Sequence, residues 1–398
     1  MKEQLRLAWA DGLATNAEEL ESTIPTAKDE ENAAPFYRRM RGAASGFQRT
    51  ELVDLDLIFN PIPKSVADAE AHLTTNRAVL DLADQAIRLP ICWFKRNWRP
   101  GAALWFPESM DMRAAARLVA LRGSRAAHRG DAVEAIRNAN EMFAIARHVE
   151  FEPFRMNGQE TVYRLGVREL AFWAYTHPDQ PVYRDALRRA LDSFPRPDLK
   201  AERRGDLFIL LSVLDLSESQ EGLRSLGFKA DDMPPPVAYL PALVIGKTSA
   251  RLTFIKQERA RRAAIDLPPA QREAVFDDVT EKERRASYAF PAIRQMFSIE
   301  DGGLFQSDEL NDREVNWKAG IAEYEFLLKL LSLPQAPRSG TAEGIVSPYD
   351  GTPLTFSFDG RRLAIAVGRG SARDYRRLFI PPASYQPGFA RTPLRYTY

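Results

Sequence analysis

Between residues 109 and 152, apolar side chains recur at helical spacing in two runs divided by a glycine and an acid. Met112, Ala116, Val119, Gly123 and Ala126 share one face of the first run. Ala135, Ile136, Ala139, Phe143, Ala146 and Val149 share one face of the second. Gly130 suits the left-handed residue that ends a helix. Asp131 can then accept from the free N–H groups of the next, with Glu134 placed to reach back and close a capping box. The pattern predicts two antiparallel helices turned at Gly130-Asp131.

The same period continues on both sides. Helices are expected over 2–13, from Asn16 with Glu19 at capping-box spacing, and from Asn32 through Pro35. A longer helix is expected over 65–88, where Val66, Ala69, Leu73, Leu80, Ala83 and Ile87 form a stripe and Ser65 with Asp68 caps the start. After the hairpin, one helix beginning at Pro153 runs to His177-Pro178, and others cover 183–194 and 199–216. The last is apolar on all sides from Leu207, which places it deep in a bundle. Met233-Pro234-Pro235-Pro236 reads as a linker or rigid corner. Helices follow over 243–264, 269–288 and 315–333, the last with Ile321, Tyr324, Leu327, Leu328 and Leu331 along one side, while 298–312 reads as an exposed acidic loop. Leu354-Thr355-Phe356-Ser357-Phe358, then Asp359-Gly360, then Leu363-Ala364-Ile365-Ala366-Val367, make a hairpin signal ahead of a Pro- and Arg-rich tail.

The expected fold is therefore mainly α: an antiparallel helical-hairpin bundle with a small C-terminal β-hairpin. Residues 1–335 would form the helical domain, with a corner or sub-boundary near 230–240, and 336–398 the hairpin and tail. The turn and second helix around Gly130 look like part of a tetratricopeptide repeat, with Gly123 and Ala135 at two small-residue positions. However, Ala139 stands where a large aromatic is usual and Met142 where a small residue is usual. No second copy lies about 34 residues away. The reading is local packing of that type without a repeat array.

One stretch differs from its neighbours. Trp93, Phe94, Trp98, Trp105 and Phe106 crowd a loop broken by Pro90, Pro100, Gly101 and Pro107. So many large rings are not left in water. Structurally they would form a lid that inserts between helix ends. Functionally they would form a stacking surface for a ligand or partner, with His148 and Glu152 of the central hairpin nearby.

Composition excludes more than it selects. Lys plus Arg is 55 against 54 for Asp plus Glu, so the net charge of +1 gives no long-range field for nucleic acid or an anionic membrane. Arg far outnumbers Lys, which fits coding bias better than anion recognition. Cys92 is the single cysteine, which rules out an internal disulfide and any multi-cysteine metal site. The longest apolar runs, 207–216 and 237–246, fall short of the roughly 20 residues a membrane helix needs. The start lacks the apolar core of a secretion signal, so the chain is expected to be soluble.

Chemical motifs fail one by one. Gly246-Lys247-Thr248 resembles the end of a phosphate-binding loop, but Pro241 stands where glycine is required. His148 and Glu152, one helical turn apart, are two metal ligands without a third. There is no GxSxG elbow, HExxH pair or GxGxxG loop. The basic group Lys256, Arg259, Arg261 and Arg262 lacks interleaved aromatics and reads as the wet side of an amphipathic helix. The residues imply no cofactor and no metal.

Several phrases together resemble a loose family of uncharacterised bacterial helical proteins. They are Glu31-Asn32-Ala33-Ala34-Pro35-Phe36-Tyr37; Pro90-Ile91-Cys92 with Trp98 and Phe106-Pro107-Glu108; Gly130-Asp131 with Ala135, then His148 and Glu152-Pro153; and the closing Ser347-Pro348-Tyr349-Asp350-Gly351-Thr352-Pro353-Leu354. The resemblance implies a helical body, in relatives usually outside the cytoplasm behind one N-terminal membrane segment, and no activity. This chain lacks that segment and adds an Arg-rich tail.

The leading expectation is a non-catalytic scaffold or interaction module with a protein partner. The alternative is an enzyme or small-molecule binder whose pocket is formed by residues 93–106 over the central hairpin. The candidate ligand or partner surface comprises Trp93, Trp98, Trp105, Phe106, His148 and Glu152. Oligomeric state is left open.

Overall fold

The computed structural model describes residues 1–43, 66–104, 107–149, 158–177, 179–194, 198–216, 220–225 and 247–287, helical positions 321, 324, 325 and 328, and the segments 339–346, 353–358, 362–366 and 375–379. The described residues are mainly helical. In order, α1 is Lys2–Ala10, α2 Ala17–Ser22, α3 Ala34–Ala43, α4 Val66–Thr75, α5 Arg77–Ala86, α6 Pro107–His128, α7 Ala132–Val149, α8 Gly158–Thr176 and α9 Pro181–Asp192. Then follow α10 Leu199–Glu202, α11 Asp206–Leu216, α12 Gln220–Ser225, α13 Lys247–Ala264 and α14 Pro269–Ser287.

The central hairpin forms where the spacing puts it. Gly130 has φ of +78°, its N–H donates to the Ala127 carbonyl at 3.0 Å, and the Asp131 N–H donates to Ala126 at 3.0 Å. These two bonds are a Schellman closure of α6. The Asp131 carboxylate then accepts from the Glu134 N–H at 3.0 Å and starts α7. Only half of the expected capping box is made. With the Asp131 N–H already engaged, the Glu134 carboxylate turns to Arg137 at 2.5 Å and Asn138 at 3.2 Å.

From this hairpin the bundle grows by adding helices to the same face. α8 packs on α7 and on α6, and α9 packs on α8 and on α7. Missing side chains set the close approaches. A Cβ at Gly123 would lie 2.9 Å from the buried Trp173 ring of α8 and 3.0 Å from Asn138, and one at Gly166 would lie 2.5 Å from Phe143. α3, α5 and the C-terminal positions Ile321, Tyr324 and Leu328 pack against the same apolar core, so three residues of the expected 315–333 stripe reach it. A polar seam ties three of its helices together: Arg122 of α6 donates to Asp84 of α5 at 2.8 Å and to Asn138 of α7 at 2.6 Å, and pairs with Glu141.

Two helices expected to be continuous are broken, each by a buried polar residue. The 65–88 run divides at Asn76, which is buried and donates from its side-chain amide to the His72 carbonyl at 3.0 Å. That local bond competes with helix continuation. The 199–216 run divides after α10 because Arg203 turns inward.

Arg203, Glu258 and Arg261 form an ion triad with at most 5% of any of the three exposed. Glu258 accepts from Arg261 at 2.5 Å and pairs with Arg203 at 3.3 Å, while Arg203 also meets Asp206 at 3.0 Å. Burial, the largest single influence, pushes the Glu258 carboxyl up, yet the two guanidiniums together hold it below the ordinary range. This corrects the reading of Lys256, Arg259, Arg261 and Arg262 as a solvated face. Arg259 binds Asp11 at 2.5 Å, Arg262 binds the Asp11 carbonyl at 2.9 Å and the Lys200 carbonyl, and only Lys256 is exposed. The charges anchor α13 to α1 and α10. Around them lies a second apolar cluster in which α11 is buried against Ala250, Phe254 and Ile255 of α13 and Ala8 and Leu13 near α1.

The Ser65 cap, the start at Pro153, the 233–236 corner and the 298–312 loop lie outside the described residues. Removing Glu258 takes a carboxylate from two buried cations, of which Arg203 keeps Asp206. Glu258→Gln should therefore cost about 3–5 kcal/mol in urea unfolding. Replacing all three residues with apolar ones (Arg203→Met, Glu258→Leu, Arg261→Met) should recover most of that loss. A Glu258→Gln variant as stable as wild type would show that the triad is not ionised as described.

Candidate functional site

The aromatic segment is held as an extended strand beside the entry to α3. Ile91 forms a parallel bridge with Asn32, the Ala33 N–H donates to the Ile91 carbonyl at 2.8 Å, and the Ile91 N–H donates to Glu31 at 3.3 Å. Asn32 fixes the next residue with its side chain, donating to the Trp93 carbonyl at 2.9 Å and accepting from the Trp93 N–H at 2.8 Å and the Ala34 N–H at 3.1 Å. It thereby caps α3 and extends the bridge at once.

Extended backbone sends successive side chains to opposite sides. Cys92 and Phe94 enter the main core with Tyr37, Met40 and Val149. Trp93, Trp98 and Leu104 turn to a different cluster, with Ala14, Leu20, Ile24 and Phe208. Trp98 is 5% exposed, and Gly101 (φ +56°) brings the following turn against Ser212 of α11. Of the six residues singled out in the sequence, Trp98 and His148 are buried and Trp93 is partly buried. Trp105, Phe106 and Glu152 lie outside the described residues.

His148, near the end of α7, is committed on both ring nitrogens. Nε2 faces the Leu89 carbonyl at 2.8 Å, which can only accept, so Nε2 carries the hydrogen and Nδ1 accepts from the Tyr37 hydroxyl at 2.8 Å. The rings meet edge to face at 5.7 Å. Burial lowers the His148 pKa, with the Arg147 charge adding to it and the Leu89 hydrogen bond opposing. Burial also raises the Tyr37 hydroxyl well above its ordinary range, with Cys92 adding to it. The pair is a neutral hydrogen bond joining α3, α7 and the residues that lead into the aromatic segment.

A charged latch closes the other side. Phe94 lies under two guanidiniums, Arg96 at 5.0 Å and Arg38 at 5.6 Å from its ring centre, and both pair with Glu108 in the first turn of α6, at 2.9 Å and 3.5 Å. Burial pushes the Glu108 carboxyl up, but hydrogen bonds from its own backbone N–H and from Arg96, with the charges of Arg96 and Arg38, hold it below the usual range. Arg41 adds a bond to Asp111 at 2.8 Å. Sequence reasoning missed Asn32, Tyr37, Arg96 and Glu108 as partners. Nothing local in the sequence marks these residues as meeting.

The arrangement binds segments of the chain to one another. Among the described residues, no group of three or more His, Cys, Asp or Glu side chains is placed to hold a metal ion, and no helix is long and apolar enough to cross a membrane. No protein-family model matches the chain, and no curated protein or solved structure matches it either.

His148 also supplies a pH test. Its folded pKa is depressed, so on acidification the unfolded chain takes the proton first. The contribution is complete above the ordinary histidine pKa, about 6.5, and is lost as pH falls through that value towards the folded one. The urea midpoint of wild type should therefore fall more steeply between pH 7.5 and 5.5 than that of His148→Gln. Equal slopes would rule out a neutral, buried His148.

Proposed function

We propose that the chain is a non-catalytic helical scaffold that engages a protein partner through its surface. The observation that supports this is the commitment of the most chemically capable residues to internal contacts. Phe94 and Trp98 are buried in two separate clusters, and the Tyr37 hydroxyl and both His148 nitrogens bond to each other or to backbone. A small-molecule pocket over the central hairpin would need those rings and that histidine turned towards a ligand. Large apolar side chains do remain outside. Val133 and Val182 are 82% and 44% exposed, in the first turns of α7 and α9, two helices that pack together. They are the contact points we assign to a partner. The likeness to bacterial helical proteins with an N-terminal membrane segment is compatible with such a role and adds no activity to it.

The two readings separate on Trp98. As a core residue, Trp98→Ala should lower unfolding free energy by about 3–5 kcal/mol. As a ligand-stacking residue it would leave the melt unchanged. In affinity capture from native cells, the scaffold reading expects a partner held by wild type and lost by Val133→Glu with Val182→Glu, a surface variant that melts normally. Capture unchanged by that variant would remove those positions from the interface, and an unchanged Trp98→Ala melt would favour the pocket.

We further propose a small C-terminal β unit beside the helical body. Ser339–Val346, Pro353–Phe358, Arg362–Ala366 and Tyr375–Phe379 pair in sequence order, antiparallel throughout, with Phe356 opposite Ile365 and Phe358 opposite Leu363. In the full chain, backbone amides of 354–358 and 363–366 should exchange with solvent far more slowly than in a peptide of the same sequence. Exchange at the peptide rate would sink the hairpin.

A further inference from the structure

Arg38 and Arg41 form a ladder with α6. The two arginines stand three residues apart on α3, and Glu108 and Asp111 stand three residues apart near the start of α6. Each rung pairs one guanidinium with one carboxylate, Arg38 with Glu108 at 3.5 Å and Arg41 with Asp111 at 2.8 Å. Both carboxylates lie beneath the surface, with 11% and 12% of their side chains exposed, while the arginine side chains are 47% and 44% exposed. A guanidinium carries five donors in a rigid fork. A fork held from the inner side and nearly half exposed keeps donors turned to water.

More cations gather on the same outer surface. The Arg38 guanidinium also donates to the Lys95 carbonyl at 3.0 Å, which brings the exposed Lys95 beside it. Arg39, exposed as well, stands over the partly buried Phe36 ring at 5.9 Å. Arg96, with its side chain 7% exposed, shares Glu108 with Arg38. In this group Arg38, Arg39, Arg41, Lys95 and Arg96 are set against Glu108 and Asp111, and both carboxylates are on the inner side, so the exposed layer is cationic. Among the described residues, none of the exposed large apolar side chains is on α3, which leaves nothing there to enter a bilayer. Arg39 covers Phe36, so that ring offers no open face to a nucleic-acid base.

We propose that the outer side of α3, with Lys95, docks an acidic helical segment of a partner protein whose carboxylates are spaced three residues apart. On the inner side, Glu108 and Asp111 demonstrate that carboxylates at this spacing match these two arginines, and the outer side of the same forks can repeat the ladder. Side chains already oriented by the inner rungs lose little freedom on binding. The face does not rest on the contact assigned to Val133 and Val182, which lie on other helices.

The test uses the full chain at low ionic strength and follows the fluorescence anisotropy of a labelled alanine-rich helical peptide bearing glutamates three residues apart. The same peptide with glutamines, a single-stranded oligothymidylate, and vesicles of phosphatidylcholine with phosphatidylserine, the last read by co-sedimentation, are the comparisons. Saturable binding of the glutamate peptide, weakened by salt and absent with glutamines, is expected. Arg38→Gln with Arg41→Gln should weaken it roughly tenfold, the worth of two partly exposed ion pairs. Arg39→Glu with Lys95→Glu leaves Glu108 and Asp111 with their partners and should melt like wild type, yet weaken binding at least as much, because it adds repulsion. Should the first variant melt early, the second decides. Failure of the glutamate peptide to saturate, equal binding of the glutamine peptide, undiminished binding by Arg39→Glu with Lys95→Glu, or tighter binding of the oligonucleotide or the vesicles would overturn the assignment.

Discussion

Asn32 holds the extended chain at residues 91–93 with its whole side-chain amide, and the backbone on either side completes the bridge. The consequence is geometric. Once Ile91 and Trp93 are fixed beside the start of α3, alternation decides that Cys92 and Phe94 go to one core and Trp93 to the other. Without that strand, the α3–α9 bundle and the α1, α11 and α13 group would have no shared segment at this point. With it, burying one set of rings requires burying the other. The segment then behaves as a rivet built from Trp93, Phe94 and Trp98.

Buried polar groups divide into two kinds. Tyr37, His148 and Asn32 are neutral and satisfied, so they add directional bonds without leaving a charge in an apolar setting. Glu258 with Arg203 and Arg261 is ionic, and its favourable contacts are offset by the desolvation of three charged groups. What such a triad secures is register. An α13 shifted by one turn would carry Glu258 and Arg261 away together and take Arg203 out of reach of Glu258. Specific placement, more than added stability, is the physical return on that arrangement.

What the sequence revealed follows the range of each interaction. The hairpin at Gly130-Asp131 was legible because its spacing, its left-handed glycine and its cap are all set within six residues. The second half of the capping box was not, because the Asp131 N–H had a competing acceptor in Ala126. Asn76 and Arg203 break helices for reasons of unequal range. Asn76 bonds one turn back, which is readable in principle, while Arg203 answers to Glu258, 55 residues on. Distant partners also explain why the basic side of α13 looked wet and is largely engaged: Arg259 and Arg262 reach Asp11, and Arg262 also reaches the Lys200 carbonyl. For the aromatic segment, ring content showed that it had to be covered, but not that Trp93 and Phe94, adjacent in sequence, would be covered by different cores. Asn32, Tyr37 and Glu108 are joining residues that no local pattern marks, because their meetings are tertiary facts.

This bears on function through what is left over. A bundle that uses His148, Tyr37 and Trp98 to fasten its helices does not offer those side chains to a ligand. Its inward arginines are used in the same way. Arg122, Arg125 and Arg203 each meet a carboxylate, and a guanidinium so placed can be understood as architecture.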